Sequence, residues 1–253
     1  EPGSGKMATG LKKVGGATYH LASSGAMTTG WALDGGKWYW SSSSGALETG
    51  WLSSGGSWYW LDKSTFRMAT GWQQVDGKWY YLDGSGAMAT GWLRSGGTWY
   101  YLDGSGAMAE GWKYVGGAWY YLEPGSGKMA TGLKKVGGAT YHLASSGAMT
   151  TGWALDGGKW YWSSSSGALE TGWLSSGGSW YWLDKSTFRM ATGWQQVDGK
   201  WYYLDGSRGG AMASSRWIGN YYVMGDGAMA TSRWVGGYYV DANGLWDPTA
   251  VRK

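Results

Sequence analysis

The chain has 253 residues, a formal net charge of +4 and no cysteine. A disulfide scaffold and thiolate metal sites are thereby excluded, and collagen is excluded because the 49 glycines follow no three-residue period. The mild charge, 21 basic against 17 acidic residues well mixed, suits an anionic polymer without demanding one, and no apolar run is long enough to span a membrane.

The opening Glu1-Pro2-Gly3-Ser4-Gly5-Lys6-Met7 recurs inside the chain as Glu123 to Met129. Residues 1–8 therefore read as a partial repeat, and the chain as a fragment from which a sorting signal and N-terminal domains have been removed. From Thr9 onward a single unit recurs. Its openings fall at Thr9, Thr29, Thr49, Thr70, Thr90, Glu110, Thr131, Thr151, Thr171 and Thr192, in steps of 20 or 21 residues. A fixed period of this size signals an array of small supersecondary units. Residues 9–213 hold about ten such repeats, each 20–22 residues long. Residues 1–85 recur unchanged as 123–207, which reads as a duplication. Residues 214–246 form shortened units without a second Trp, expected as caps, and 247–253 read as a tail. The whole of 1–253 is expected to form one repeat array.

Each unit reads as a β-hairpin. Gly35-Gly36, Gly55-Gly56, Asp76-Gly77, Gly96-Gly97 and Gly116-Gly117 are pairs favoured in two-residue turns. The return segment Lys78-Trp79-Tyr80-Tyr81-Leu82 is aromatic and β-prone. Alternation puts Trp79 and Tyr81 on one face, Tyr80 and Leu82 on the other. Both faces are apolar, and a lone hairpin is marginal, so neighbouring hairpins must stack to cover them. No segment has a helical period, no Leu ladder marks a leucine-rich repeat, and a propeller blade needs about twice this length. The expected fold is all-β, a solenoid of stacked β-hairpins. The extra residue in every third repeat (Asp62 to Arg67, Glu123 to Lys128) predicts about three hairpins per superhelical turn.

Aromatic usage bears on function. The chain has 23 Trp and 19 Tyr against 2 Phe. Phe would serve a core equally well, so this choice points to ring faces used for recognition as well as packing. Met27, Met88, Met108 and Met149 read as gap-fillers. The Asp83-Gly84-Ser85-Gly86 type of loop offers one carboxylate, too few for calcium. His20 and His142 are one residue copied; with no second His, no Cys and no clustered carboxylates, neither a metal nor a catalytic role is expected. No cofactor is implied. Nucleic acid is disfavoured because a cationic stripe is missing.

The unit T-G-W-x4-G-x-W-Y-Y-L-x-x-x-G-x-M resembles the cell-wall-binding repeats of choline-binding modules on Gram-positive surface proteins and wall-lytic enzymes. Related repeats occur in glucan-binding domains and clostridial toxin arrays. The resemblance implies a left-handed superhelix, with choline held between consecutive hairpins by two Trp of one repeat and an aromatic of the next. Carried over, it implies cages of Trp31 and Trp38 with Trp60; Trp51 and Trp58 with Tyr81; Trp72 and Trp79 with Tyr101; Trp92 and Trp99 with Tyr121. In the second copy it implies Trp153 and Trp160 with Trp182; Trp173 and Trp180 with Tyr203; and Trp194 and Trp201 with Tyr222. Repeats 9–28 and 131–150 carry Leu11, Thr18, Leu133 and Thr140 where a cage needs rings, and are expected to be links without ligand. The implied function is a non-catalytic, extracellular attachment module for choline-decorated teichoic or lipoteichoic acid or another cell-wall polymer. A glucan-binding module and a structural array without ligand are the alternatives. Trimethylammonium is attracted to ring faces by about 0.5–2 kcal/mol per ring. Sugar recognition normally adds hydroxyl-reading polar residues, and the residues around the Trp pairs are mostly Gly, Ser and Leu.

Overall fold

A computed structural model describes residues 5–252; residues 1–4 of the expected partial repeat and residue 253 of the expected tail lie outside them. The protein is all-β, built from repeated antiparallel hairpins. The backbone falls into two compact units, Glu1–Lys113 with Leu122–Met129, and Tyr114–Tyr121 with Ala130–Lys253.

In the first unit the hairpins pair Gly10–Val14 with Ala17–Leu21, Gly30–Asp34 with Lys37–Ser41, Gly50–Ser54 with Ser57–Leu61, Gly71–Val75 with Lys78–Leu82, and Gly91–Ser95 with Thr98–Leu102. In the second they pair Gly132–Val136 with Ala139–Leu143, Gly152–Asp156 with Lys159–Ser163, Gly172–Ser176 with Ser179–Leu183, and Gly193–Val197 with Lys200–Asp205. Strands Gly111–Val115 and Ala118–Leu122 have the same length. The shortened repeats keep the hairpin with three-residue strands, Arg216–Ile218 with Tyr221–Val223 and Arg233–Val235 with Tyr238–Val240. The turn Asp76-Gly77 has φ of 49° and 79°. Two positive values are the mark of a primed two-residue turn, whose twist matches that of the strands it joins.

Within each unit the connectors hold the stack together. The amide of Met88 donates to the carbonyl of Trp58, one hairpin back, at 2.7 Å, while Ala89 donates to Tyr81 of its own hairpin at 2.8 Å. Met68 and Met108 donate in the same way to Trp38 and Trp79, and in the second unit Met190 and Met229 donate to Trp160 and Trp201. Each connector thus satisfies backbone groups on two successive hairpins, which a lone hairpin would leave to water. The core is correspondingly a column. Leu61, Leu82 and Leu102 in the first unit, and Leu143, Leu183, Leu204, Val223 and Val240 in the second, are almost fully buried, each at or, for Leu204, one residue before the end of a second strand.

Ser41 and Ser163 take the leucine place in this column. Each hydroxyl is buried without a hydrogen-bond partner. At the C-terminal end Asp205 is buried beside the guanidinium of Arg216. It also accepts the amide and hydroxyl of Ser207, capping the single helical turn among the described residues, Gly206–Arg208.

Two outcomes follow. Ser41→Ala should raise stability by about 1 kcal/mol, because it removes an unsatisfied buried hydroxyl at little cost in volume; an unchanged or lowered denaturant midpoint would contradict this. The second concerns acid. The Arg216 hydrogen bond, then that of Ser207, lowers the Asp205 pKa from 3.8 to about 2. A depressed carboxylate contributes stability above its unfolded pKa and loses it as pH falls through the folded one. Thermal melts between pH 4.5 and pH 2 should therefore fall more steeply for the parent than for Asp205→Asn (pH limits set at roughly these values to bracket both pKa values). Parallel curves would remove Asp205 from the acid response.

Candidate functional site

The register of each hairpin decides what its faces offer. Trp72 lies opposite Tyr81 and Gln74 opposite Trp79. Cross-strand partners share a face and neighbours along a strand alternate. Trp72, Trp79 and Tyr81 therefore lie on one face, and Tyr80 and Leu82 on the other. Stacking like-oriented hairpins sets the Trp face of one against the Tyr-Leu face of the next.

The result is a series of aromatic recesses. Trp72 meets Tyr100 of the following hairpin edge-on, with ring centroids 4.9 Å apart. Trp72, Trp79, Tyr100 and Met108 line a cavity of about 330 Å³, with Gly125 and Ser126 at its border. Trp31 likewise meets Trp38 of its own hairpin at 6.2 Å and Tyr59 of the next at 4.9 Å. Trp51 meets Tyr80 at 4.8 Å, and Trp92 meets Trp99 at 6.4 Å. In the second unit Trp153 meets Trp160 at 6.2 Å and Tyr181 at 5.0 Å. Trp173, Trp180, Tyr202 and Met212 line about 280 Å³ together with Asp226. Trp194, Trp201, Tyr221 and Met229 line about 340 Å³ together with Asn243.

The second-strand tryptophans, Trp38, Trp58, Trp79, Trp99, Trp160, Trp180 and Trp201, remain between 38% and 49% exposed. Their partners are held in place. The indole N–H of Trp31, Trp72 and Trp153 donates to Ser54, Ser95 and Ser176 of the following hairpin at 3.2–3.3 Å. Those rings present faces and edges to the recess with their one donor already used, a lining suited to a cation without N–H groups.

Each recess sets a tryptophan pair against a tyrosine of the following hairpin, and that tyrosine is the sequence neighbour of the ring the resemblance implies. Trp60, Tyr81 and Tyr101 do not reach the preceding tryptophan pairs. Each packs against the first Trp of its own hairpin, Trp51, Trp72 and Trp92, at 5.2–5.3 Å. Trp182, Tyr203 and Tyr222 do the same with Trp173, Trp194 and Trp217. Tyr121 is buried, with the Lys134 ammonium 5.6 Å over its ring. The reason is register: the expected residues share a face with their own hairpin's tryptophans, whereas Tyr59, Tyr80, Tyr100, Tyr181, Tyr202 and Tyr221 point back to the preceding hairpin. Of the methionines expected as gap-fillers Met108 lines a recess, and Met212 and Met229 line two others.

The departing repeats are built differently. Thr18 accepts the Leu47 amide, the place taken elsewhere by a cage Trp and Met. His20 is buried and stacks on Tyr39 of the next hairpin at 6.2 Å, with 7° between the planes. Its Nδ1 is 3.1 Å from Thr28 Oγ1 and its Nε2 3.7 Å from an Asp34 oxygen. His142, Tyr161, Thr150 and Asp156 repeat this arrangement. Tyr39 is almost fully buried under the histidine, and an open recess of about 490 Å³ lies beside the stack, lined by His20, Thr28, Trp31, Ala32 and Asp34 among others. In the connectors, Ser64 and Thr65 hydrogen bonds lower the Asp62 pKa to about 2, and the Ser85 hydroxyl lowers that of Asp83. These carboxylates close their own turns. Among the described residues no group of three or more His, Asp or Glu could hold a metal ion, and no helix is long and apolar enough to cross a membrane.

A family profile described as a choline-binding repeat matches residues 8–47, 48–91, 69–110, 89–131, 130–169 and 170–217, and a second of the same description matches 211–246. Among solved structures, the chain is similar to CbpJ from Streptococcus pneumoniae at 31% identity, covering 95% of this chain and 100% of CbpJ with a TM-score of 0.65. It is similar to choline binding protein F from the same organism, solved in the presence of a peptidoglycan analogue, at 34% identity, covering 95% and 92% with a TM-score of 0.63. The choline-binding domain of CbpL from S. pneumoniae matches at 38% identity over 72% of this chain and all of that domain, with a TM-score of 0.58. No curated protein matches.

The geometry makes one outcome independent of any ligand. N-bromosuccinimide at limiting dose should oxidise Trp58 and Trp180, 48% and 49% exposed, before Trp60 and Trp182, both 9% exposed. Fragment mass spectra of the shared peptides distinguish the two positions. Equal oxidation would mean that the recesses are closed.

Proposed function

The chain belongs to the choline-binding repeat family, and we propose that its recesses between hairpins are the choline cages of a surface-attachment module. It is a choline-binding repeat module; the polymer it holds and the residues that hold the ligand are our reading. The observation that carries this reading is the half-exposed second tryptophan of each pair, facing the tyrosine of the next hairpin and a methionine. A trimethylammonium group carries a soft charge and no donor, so it gains from several ring faces at once, by about 0.5–2 kcal/mol per ring. Methionine takes up the methyl groups by dispersion, and its thioether adapts to their shape.

One cage of this kind binds weakly. A row of cages on a polymer with many choline groups gains avidity, about 10²–10⁴-fold over a single site where the spacing allows simultaneous engagement. The partner is therefore a choline-bearing wall polymer such as teichoic or lipoteichoic acid, and the location is the outer surface. The presence of a peptidoglycan analogue with choline binding protein F supports a wall environment. The role is attachment without catalysis: the recurring pair of His20 with Asp34, and its copy, has its imidazole buried under a stacked tyrosine.

The test exploits the third ring. Tyr100→Leu should weaken choline at the Trp72–Trp79 cage by about 1–2 kcal/mol through loss of one cation–π face and leave distant cages unchanged, since solenoid repeats interact only with neighbours. Trp79→Leu should act on the same cage. Calorimetry with choline and, in parallel, a glucan oligosaccharide reads site number and affinity. Choline should also raise the melting temperature of the parent, because it binds the folded state. If folded parent protein neither binds nor is stabilised by millimolar choline, the cages are not ammonium sites; binding of the glucan instead would move the module to carbohydrate.

A further inference from the structure

The cages differ at their rims, and one geometric rule determines where. Each cage methionine lies flat against a glycine of the next connector. A Cβ built on Gly106, Gly127 or Gly227 would come within 2.3 Å of the sulfur of Met88, Met108 or Met212. All three glycines have positive φ. The residue just before this glycine therefore stands at the mouth of the cage. It is Ser126 at the Trp72 cage, Asp226 at the Trp173 cage and Asn243 at the Trp194 cage, and all three line their cavities. At the Trp51 cage the same rule places Ser105.

The duplication makes one comparison unusually clean. Trp51, Trp58 and Tyr80 are the counterparts of Trp173, Trp180 and Tyr202 in the two 85-residue copies. The copies end at Ser85 and Ser207, so the three rings are shared but the rim is not: a serine stands at one mouth and an aspartate at the other. Ser105 gives its hydroxyl hydrogen to Asp103. Asp226 is exposed; one carboxylate oxygen accepts the Ala228 amide at 3.0 Å, and no ion pair within 4 Å engages it among the described residues. The nearby Arg233 donates to the sulfur of Met224.

We infer that Asp226 is a specificity residue, which makes the Trp173–Trp180–Tyr202 cage favour a bare quaternary ammonium over one that carries a phosphate. The inference rests on the choline reading of the cages. An ammonium seated on the rings must send its substituent out through the mouth. In choline that substituent ends in a neutral hydroxyl. In phosphocholine it ends in an anion, which meets the Asp226 carboxylate but only a hydroxyl at Ser105. The carboxylate attracts the ammonium of either ligand, a contribution that cancels in the ratio, so the ratio is shifted by the repulsion between Asp226 and the phosphate alone. Exposure keeps the effect modest. The ratio of phosphocholine to choline dissociation constants should be about two- to fivefold higher at the Trp173 cage than at the Trp51 cage, and high salt should shrink the difference.

Crystals of the full chain soaked in graded choline, and separately in graded phosphocholine, give an occupancy for each cage. Choline should fill the Trp173 cage ahead of the Trp51 cage, and phosphocholine should lose that order. Asp226→Ser and Asp226→Asn should make the two cages alike; both retain an acceptor for the Ala228 amide, so the turn is kept. Ser105→Asp should transfer the preference to the Trp51 cage. Parallel filling by both ligands in the parent, or an unchanged order in Asp226→Asn, would overturn the role of Asp226 while leaving the cages as choline sites. Empty cages throughout would overturn the cage reading, and this inference with it.

Discussion

The hydrogen bond from each connector amide to the second-strand tryptophan carbonyl of the preceding hairpin is the contact on which the rest depends. Met88 to Trp58 and Met108 to Trp79 are two instances. It fixes how far one hairpin lies from the next, and which face meets which. Because the same residue supplies both that amide and the cage sulfur, the bond that builds the stack also places the methionine in the recess. Stacking without this tie could slide; a slip of one residue would turn every tryptophan to the opposite face.

The recess then follows from a mismatch of sizes. The buried column takes one small side chain per hairpin, a leucine or valine except at Ser41 and Ser163, and this residue sets the hairpin separation near the core. Toward the outside the facing groups are indoles on one side and a phenol on the other, oriented edge-on at about 5 Å. Edge-on packing satisfies the ring quadrupoles but cannot tile the space between them, and one tryptophan face of each pair is left to solvent. The His20 interface shows the contrast. There two rings lie parallel, 7° apart, and Tyr39 is closed off. Replacing the first tryptophan by Leu11 and the second by Thr18 removes the rings that hold the tyrosine edge-on.

Much of the fold is legible in the sequence. The period, the glycine turn pairs and the alternation in Lys78-Trp79-Tyr80-Tyr81-Leu82 suffice for hairpins and stacking. The third ring was also derivable. A two-residue turn at Asp76-Gly77 sets Trp72 opposite Tyr81, which assigns Tyr81 to its own hairpin's tryptophan face and leaves Tyr80 for the neighbour. Alternation within one strand leaves the choice of tyrosine open; the cross-strand register closes it. The methionine role was harder to read. It depends on Gly86 and its counterparts allowing the thioether within the space of a Cβ, a contact between residues in different repeats that no local pattern encodes. The rim residues were invisible for the same reason: Asp226 and Ser105 become equivalent only once the methionine–glycine contact aligns their loops.

The two kinds of interface divide the labour of the array. A cage interface leaves apolar ring surface in water until a ligand covers it, so its stability rises with ligand concentration by linkage. An interface such as His20 on Tyr39 or His142 on Tyr161 has its rings stacked on each other and offers no tryptophan pair to a ligand. In a nearly one-dimensional stack each interface contributes separately. Ligand therefore tightens the protein locally, cage by cage, and the tightening does not spread beyond the neighbouring hairpins. Such a module needs no global switch to hold a polymer. Affinity accumulates from independent weak contacts, while the histidine interfaces keep parts of the stack assembled when the ligand is scarce. This also explains how the cages can tolerate different rims. A change at one mouth alters one interface, so Asp226 and Asn243 can stand where other cages carry serine without disturbing the rings beneath them.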